Sequence, residues 1–372
     1  MNPLYINEKV CSLSVEDFHL KIWNPEEKKV VHLFKPRKIP YDSIIIQRNR
    51  GSISFAAIDW LMRHAISLTI LNWQGNIMSQ ILPEETLSPK LRIAQYQAYL
   101  DWEIHSKISK SIVETKIKRQ RDFLKALSPY FDIEVPSVRA ITTNSPDFIR
   151  NMEARYAEEY FTQYGIICNT LGYEFENRSR HSNQHANDLT NSLLNYGYAI
   201  LKVYVRRAIN AVGFDNSVSY VHFLSKGESS LTFDLMELWR TNIDQAVLES
   251  LEEMKKTKGR KFGFTDKYDV EITSDTARLL FERIRFNLSL EEIIINSRRL
   301  AKYLLKENTS LAFKLRPLEP RRKDTIQAKG LIKSKSYREL GMNKSTLWYQ
   351  KKRLEETGSI RIYNKTRQYF VR

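Results

Sequence analysis

The apolar pattern of the chain changes at residues 82–90 (LPEETLSPK), and this change constrains the fold more than any other feature. Before it, apolar and polar residues alternate in VCSLSVEDFHLKIW, and β-branched runs occur in KVVHLF and DSIIIQ, as is typical of strands. After it, apolar residues recur with helical spacing, while the prolines and charges of the boundary itself follow neither period. The sequence therefore predicts a small β-rich N-terminal domain over 1–85 and an all-helical domain over 91–315.

Within these two regions, individual elements can be predicted from the same spacing. The stretch SFAAIDWLMRHA predicts one helix inside the β-rich domain, and the segment from IAQYQAYL to DFLKAL predicts one or two helices after the boundary. Further helices are predicted over 145–171, 186–212, 229–256 and 272–313.

A second boundary, RPLEPRRKD at 316–324, precedes a segment with a different organisation. SYRELGMNKSTLWYQKKRLEETGS has the pattern of helix, turn, helix, in which Ser336 and Glu339 form a capping box and Gly341 ends the first helix. IRIY, the turn NKT and QYFV then predict a hairpin. A helix-turn-helix followed by a hairpin is a winged helix, so the chain is expected to be an α+β multidomain protein with a winged helix-turn-helix over 321–372.

Charge indicates what this last segment binds. The chain carries a net charge of +16, and residues 321–372 alone hold 15 Lys and Arg against 4 Asp and Glu. Such a concentration favours a polyanionic partner, and the second helix of a winged helix commonly enters the DNA major groove. A protein-binding winged helix stays open as an alternative. The residues predicted to face DNA are Lys344, Ser345, Thr346, Tyr349, Gln350 and Arg353.

Several classes of protein are disfavoured by the sequence. No apolar run approaches the roughly 20 residues that span a bilayer, so no membrane partner is expected. Cys11 and Cys168 are far apart and match neither a disulfide framework nor a zinc motif, which favours a reducing, cytoplasmic setting. Phosphate-binding glycine loops, a nucleophile elbow and an H-E-x-x-H motif are all missing. The residues that could carry chemistry are therefore dispersed acids and histidines.

Four such residues stand out. Asp234 and Glu237, in SSLTFDLMELWR, are three apart and share one face of a helix. Glu153, in NMEARYAEEYF, opens a predicted helix, and His222 lies among apolar residues in SYVHFLSKGESS. Taken singly, each has an ordinary explanation: a solvated helix face, favourable charge at a helix N-terminus, or a satisfied core histidine.

A polar and basic stretch, RSRHSNQHANDLTNSLLNYGYAILKVYVRRAI, lies between these candidates. Its arginines could contact phosphate, and its helix is too apolar to be surface. His181 and His185 are four apart, but the surrounding composition favours a loop. The residues predicted to bind DNA here are Arg178, Arg180, Asn191, Tyr196 and Arg206.

The order and spacing of these features resemble a known family. Glu153, the NSLLNYGYAIL helix, His222 after a G-F-D turn, and then D-x-x-E resemble the CRISPR-associated integrases, which include the enzyme that inserts new spacers into CRISPR arrays and the related casposases of transposons. SFAAIDWLMRHAISLTILNWQGNIMSQILP is similar to the end of that family's small β-domain. The resemblance covers roughly residues 10 to 300.

This resemblance implies a site and a reaction. The positions of Glu153, His222 and Glu237 would bind Mn²⁺ or Mg²⁺, and Asp234 would support them. Carboxylates with one imidazole suit such hard cations. The implied reaction is transesterification, in which a DNA 3′-hydroxyl attacks a target phosphodiester without ATP. The implied partners are double-stranded DNA, as donor ends and target, and a second copy of the chain in a homodimer or higher assembly.

The sequence departs from the family pattern at Ala154, Asn216 and Ser219, and it lacks a proline after the arginine-rich stretch. A C-terminal helix-turn-helix is common in casposases, so the chain resembles a casposase more than a spacer-acquisition enzyme. Three alternatives stay open: a CRISPR spacer integrase with a partner subunit, a nuclease for branched DNA, and a non-catalytic winged-helix regulator.

Overall fold

A computed structural model of the 372-residue chain gives the architecture. It describes residues 3–6, 8, 10–47, 50–72, 77–83, 88–137, 141, 145–175, 177–178, 186–222, 230–256, 263–264, 270–318, 360–363 and 368–371.

Strands dominate the described N-terminal part, as predicted. Strand β3 alternates buried and partly exposed residues, so that Leu20 and Ile22 point into the core, whereas all five residues of SIIIQ in β5 are buried. The elements are β1 (Pro3–Ile6), β2 (Cys11–Glu16), β3 (His19–Asn24), β4 (Lys29–Phe34), β5 (Ser43–Gln47), β6 (Gly51–Ile53), α1 (Phe55–Arg63), β7 (Ser67–Leu71) and β8 (Ile77–Ile81).

These strands form two sheets of four. One has the order β1-β5-β7-β8, with β5 parallel to both β1 and β7 and with β8 antiparallel to β7. The other has the order β4-β3-β2-β6, with antiparallel pairs except for β2 and β6. Helix α1 packs against β2 and β7, and its Trp60 and Leu61 join the core that the sheets share.

Helices dominate from residue 89, as predicted, but the part predicted to be all helical also contains two short strands, Gly263–Phe264 and Val270–Glu271, which pair antiparallel. Ser145 and Pro146 start the helix over 146–171, and Gly172 ends it with a left-handed backbone at φ 89°. The elements are α2 (Pro89–Leu100), α3 (Trp102–Leu127), α4 (Pro146–Leu171), α5 (Leu189–Val212), α6 (Ser230–Met236), α7 (Arg240–Lys256), β9 (Gly263–Phe264), β10 (Val270–Glu271), α8 (Ser274–Asn287) and α9 (Leu290–Leu304).

Two of the helix predictions were wrong in extent. The single helix predicted over 229–256 is divided into α6 and α7, because residues 237–239 form tighter bonds to the carbonyls three residues back. The helix predicted over 272–313 is α8 followed by α9, which starts where the Ser289 side chain caps the backbone of Glu292.

Helix α5 lies at the centre of the helical part. It packs against α6, α7, α8 and α9 and is buried along most of its length. Its approach to α7 requires a glycine, since a Cβ at Gly197 would lie within 2.4 Å of Ile243 Cγ2. This close packing brings the side chains of α5 next to the start of α7.

The β-rich and helical parts meet in direct contacts. The Tyr5 ring of β1 stacks on Phe281 of α8 with centroids 4.7 Å apart, and Arg207 of α5 lies 2.7 Å from the Asp42 carboxylate. These contacts fix the sheet against the helices.

After α9, residues 311–318, here called the strap, lie against the helical part without regular secondary structure. Leu311, Phe313 and Leu315 pack against its core. The Asn296 side chain accepts from the Lys314 N–H at 2.8 Å and donates to the Lys314 carbonyl at 2.9 Å.

The C-terminal prediction is described only in part. Strands β11 (Ile360–Tyr363) and β12 (Gln368–Val371) pair antiparallel, which confirms the predicted hairpin. The predicted helix-turn-helix, with Lys344, Ser345, Thr346, Tyr349, Gln350 and Arg353, lies outside the described residues.

Candidate functional site

Glu153 lies well inside α4, as the eighth residue of a helix that starts at Pro146. The prediction that it opens a helix was therefore wrong, because Ser145 and Pro146 begin the helix two turns earlier. Its side chain is 23 % exposed and forms an ion pair with the Lys116 ammonium of α3. Glu153 thus faces a neighbouring helix rather than the surface.

Lys116 contacts both Glu153 and Glu237, another of the carboxylates predicted for the site. Its Nζ lies 2.5 Å from Glu237 Oε2 while also contacting Glu153, and its side chain is only 7 % exposed. Burial by itself lowers the pKa of Lys116, but the charges of Glu237 and Glu153 outweigh it and raise the pKa overall. Lys116 is therefore a cation at neutral pH, shared by two acids 84 positions apart in the chain.

Glu237 lies in the turn between α6 and α7. Its Oε1 is 2.8 Å from Nε of Arg240, the first residue of α7, and the Glu237 side chain is almost fully buried. Burial raises the pKa of Glu237, but Arg240, Lys116 and His222 together lower it to about 2. The carboxylate is ionised, and its Oε2 accepts no hydrogen bond of good geometry from the described residues despite contacting the ammonium.

Asp234 holds the histidine and the loop that carries it. One carboxylate oxygen accepts the backbone N–H groups of Tyr220 and Val221 at 2.5 and 3.0 Å; the other accepts that of His222 at 3.0 Å. The His222 Nδ1 lies 2.7 Å from the same oxygen as its own backbone N–H. Asp234 is fully buried, so it serves to fix His222 rather than to face solvent.

His222 is exposed over 40 % of its side chain and points its other ring nitrogen, Nε2, away from Asp234. Burial lowers the pKa of His222, but the hydrogen bond to Asp234 and the charges of Asp234 and Glu237 outweigh it, so the pKa is raised. With a proton on Nδ1, the neutral ring leaves a lone pair on Nε2 that could bind a cation.

The loop before His222 is held at several points. Gln95 of α2 binds the backbone of Asp215 and Val218, with its Nε2 2.8 Å from the Asp215 carbonyl. Asn216 accepts from the backbone and hydroxyl of Thr232 at 3.0 and 2.7 Å. Asn216 therefore binds the start of α6, and this position, one of the family departures, has a structural role here.

Four of the predicted DNA-binding residues near the site lie among the described residues. Arg178 donates to the Asn191 and Asn195 side chains at 2.8 and 2.9 Å, and Asn191 is fully buried. Tyr196 is also fully buried and bonds to Tyr5. The burial of Asn191 and Tyr196 does not favour direct DNA contact.

The fourth of these residues, Arg206, lies on α5 at intermediate exposure, so it is accessible in part. Arg180, the remaining residue of that prediction, lies outside the described residues, as do His181 and His185.

The sequence did not identify Lys116 or Arg240. Lys116 stands in ETKIKRQR, which has the composition of a solvated basic helix face, and Arg240 follows Glu237 with no distinguishing pattern. Burial of Lys116 on the inner side of α3 could have been inferred from its spacing to Val113 and Gln120, which are also buried.

Neither a metal cluster nor a membrane span is found among the described residues. No group of three or more His, Cys, Asp or Glu side chains there is placed to hold a metal ion. Over the same part of the chain, none of the helices has both the length and the apolar content to cross a bilayer.

The chain thus combines an N-terminal part of two sheets with a helical part in which Glu153 and Glu237 meet at Lys116 beside the His222–Asp234 pair. The family model described as CRISPR associated protein Cas1 matches residues 4–285. The chain belongs to the Cas1 family.

Curated relatives support this assignment. The CRISPR-associated endonuclease Cas1 1 of Thermodesulfovibrio yellowstonii is 31% identical over 266 residues, which cover 67% of this chain and 79% of the relative. The CRISPR-associated endonuclease Cas1 2 of Pyrobaculum aerophilum is 27% identical over 227 residues, covering 59% and 74%.

Solved structures have the same fold. A casposase bound to integration product is similar with a TM-score of 0.76 and 26% identity, covering 88% of this chain and 98% of the casposase. A CAS1 protein from Thermotoga maritima has a TM-score of 0.69 at 16% identity, covering 85% and 100%.

Proposed function

We propose that this chain is a divalent-metal-dependent DNA integrase and endonuclease that joins a DNA 3′-hydroxyl end to a target phosphodiester. The observation that carries the proposal is that Glu153 and Glu237 converge on one buried ammonium beside the His222–Asp234 pair. Family membership and the similarity to a casposase bound to integration product support the same reaction.

The donors at the site fit a divalent cation in their chemistry, while their present arrangement places the Lys116 ammonium, and not a metal-binding cluster of described residues, between the two carboxylates. Two carboxylates already share a cation at Lys116, and Glu237 Oε2 is buried without a well-formed hydrogen bond. Glu153, Glu237 and His222 Nε2 would hold Mn²⁺ or Mg²⁺, since hard oxygen donors with one imidazole suit these ions. When bound, the ion would polarise the phosphoryl group and offset charge on the leaving oxygen.

The chain's own residues have defined tasks in this reaction. Asp234 orients the His222 ring and keeps the loop around it in place. Arg240 keeps Glu237 ionised and fixed. Lys116 supplies positive charge where a phosphodiester approaches the two acids. The 3′-hydroxyl gives up its proton to solvent as its oxygen bonds to phosphorus, a target P–O bond breaks, and the leaving oxygen takes up a proton from solvent.

The test is strand transfer of a 3′-hydroxyl oligonucleotide into supercoiled plasmid with Mn²⁺. Glu153→Ala, His222→Ala and Glu237→Ala should each reduce joining by about a hundredfold or more, because each removes a donor to the ion. Glu158→Ala is the matched control, since Glu158 lies exposed on the same helix as Glu153. Undiminished activity in the three site variants contradicts the proposal, as does activity that survives removal of divalent ions by a chelator.

The products separate integration from hydrolysis. Joined strands on a sequencing gel support an integrase, whereas cut but unjoined plasmid supports a nuclease for branched or nicked DNA, which would use the same residues.

A second candidate, CRISPR spacer integration, is favoured by the curated relatives, whose names are those of CRISPR-associated endonucleases. In either role we propose double-stranded DNA as the substrate and a homodimer or larger assembly as the active form. A neighbouring DNA polymerase gene between inverted repeats favours the casposase role, and an adjacent CRISPR array favours the other. Plasmids with and without a repeat as the integration target make the same distinction in vitro.

A further inference from the structure

Tyr198 of α5 lies directly behind the carboxylate site. The guanidinium carbon of Arg240 is 4.9 Å from the centre of the Tyr198 ring, and that of Arg178 is 5.4 Å from it. Tyr198 as a whole is only 7 % exposed. Cations at such distances are attracted to the electron-rich face of an aromatic ring, and the attraction is stronger where water is excluded.

The other end of Tyr198 is fixed as well. Its hydroxyl donates to Asp244 Oδ1 at 2.6 Å, and Tyr160 donates to Asp244 Oδ2 at 2.7 Å. Asp244 is fully buried on α7, one turn after Arg240. Because both the hydroxyl and the ring face of Tyr198 are engaged with α7, rotation of the ring would disturb contacts at two points.

Arg240 links this arrangement to the site. Its Nε is 2.8 Å from Glu237 Oε1, on the opposite side of the carboxylate from the contact between Oε2 and Lys116. We propose, building on the proposed function, that Tyr198 is a positioning residue: it holds the Arg240 guanidinium, which in turn holds the Glu237 carboxylate in its reactive orientation.

A purely structural role for Tyr198 makes a different prediction. A tyrosine that only fills the core would affect stability when replaced, without a specific effect on Arg240 or on turnover. Tyr164 offers the matched comparison, since it is also fully buried and its hydroxyl donates to the backbone carbonyl of the same Asp244 at 3.0 Å.

The experiment compares Tyr198→Leu and Tyr198→Phe with Tyr164→Leu and Tyr164→Phe in the full chain. Turnover and KM for the oligonucleotide are measured in the strand-transfer assay. In parallel, the Arg240 Nε–H signal is followed by NMR in protein with ¹⁵N-labelled arginine and assigned with Arg240→Lys.

We expect Tyr198→Leu to lower kcat about tenfold while KM stays within about twofold, since it removes the cation–π contact but no DNA contact. The Arg240 signal should shift and broaden. Tyr198→Phe keeps the ring and should recover most of kcat, whereas the Tyr164 variants should lose stability with kcat within about twofold of the unmodified protein.

The inference is overturned if folded Tyr198→Leu keeps its kcat and its Arg240 signal, or if Tyr164→Leu has the same effects. If Tyr198→Leu does not fold, the Arg240 signal in Tyr198→Phe decides, because loss of the hydroxyl contact with Asp244 should already change that signal. An unchanged signal in Tyr198→Phe then refutes the inference. Retained strand joining in Glu237→Ala would refute the proposed function, and not this inference. In that case the Arg240 NMR signal in the Tyr198 variants would still show whether Tyr198 holds the Arg240 guanidinium.

Discussion

Asp234 and His222 are joined twice: a single carboxylate oxygen lies 3.0 Å from the His222 backbone nitrogen and 2.7 Å from its ring Nδ1. The Asp234 carboxylate also accepts the backbone N–H groups of Tyr220 and Val221, the two residues before His222. One side chain therefore sets both the path of the loop and the orientation of the ring, and its loss should affect stability and activity together.

Replacing Asp234 by Asn should lower the free energy of unfolding by roughly 2–4 kcal/mol, because an amide NH₂ would face backbone donors in a buried site. Strand transfer should be lost as well. The measurements are urea unfolding and the plasmid assay. His222→Ala is the comparison: it should lose activity but cost less stability, since the backbone bonds to Asp234 remain. Equal stability losses in the two variants would contradict this account.

Replacing Lys116 by Met leaves Glu153 and Glu237 facing each other without their shared cation. Breaking a buried ion pair in this way should cost roughly 3–5 kcal/mol of stability. Mn²⁺ should then raise Tm more in Lys116→Met than in the unmodified protein, because a cation that binds only the folded state stabilises it. Thermal unfolding with and without Mn²⁺ measures both effects.

The control for that experiment is Lys118→Met, an exposed lysine on the same helix. It should change neither Tm nor its response to Mn²⁺ appreciably. A Lys116→Met variant as stable as the control, with no added response to Mn²⁺, would count against both the ion pair and the metal site.

The raised pKa of Asp244 predicts in which direction the stability of the protein changes with pH. Burial raises its pKa, and the hydrogen bonds from Tyr198 and Tyr160 and the charges of Arg240 and Arg178 offset this only in part, leaving the pKa at about 6 against an ordinary value of 3.8. The folded state therefore binds the proton more tightly than the unfolded state. Protonated Asp244 therefore adds to the free energy of unfolding. This contribution is complete below 3.8, the pKa of Asp244 in the unfolded chain, and it is lost as pH rises through about 6.

The measurement is the free energy of unfolding of the unmodified protein minus that of Asp244→Asn. This difference should fall by up to roughly 3 kcal/mol between about pH 4 and pH 7 and stay constant above. Taking the difference removes the contribution of other titrating groups. A difference that is flat or rises over this range would show that Asp244 does not titrate as described.

The basic C-terminal segment should dominate the salt dependence of DNA binding. A chain ending after Leu318 keeps the strap but lacks 15 of the 59 lysines and arginines. Each phosphate contact that this truncation removes should reduce the log–log slope of affinity against salt by about 0.9. Fluorescence anisotropy over a range of salt concentrations measures the slope, and a slope unchanged by the truncation would exclude the segment from DNA binding.

Local signals in the sequence were enough to predict most elements. Alternation identified β2 and β3, and Gly172 and Gly213 mark where α4 and α5 end, because each adopts a left-handed backbone that other residues avoid. The break after Met236 was not predictable in the same way. Apolar spacing continues through FDLMELWRTNIDQAV, so the tighter turn at 237–239 depends on packing around Glu237 rather than on a breaking residue.

The site was predictable by residue type but not by arrangement. Order and resemblance identified Glu153, His222, Asp234 and Glu237, and the structure brings Glu153 and Glu237 to one lysine and Asp234 to His222. Their common neighbour Lys116 was missed, because its helical spacing to Val113 and Gln120 indicates burial but does not indicate that two distant acids pair with it. Asn191 and Tyr196 were predicted to bind DNA because they are polar groups on an apolar helix; both side chains are fully buried, and their contact with DNA stays a prediction.

The strap is held in place by side chains from several helices. Both amide atoms of Asn296 bind Lys314, and the Arg119 guanidinium donates both to the Arg316 carbonyl and to Asn242 of α7. The strap is therefore anchored to three helices at once, α9 through Asn296, α3 through Arg119 and, by way of Arg119, α7 through Asn242. Two of these helices, α3 and α7, carry Lys116 and Arg240, so the chain leaves the helical part from the same pair of helices that holds the two cations of the candidate site.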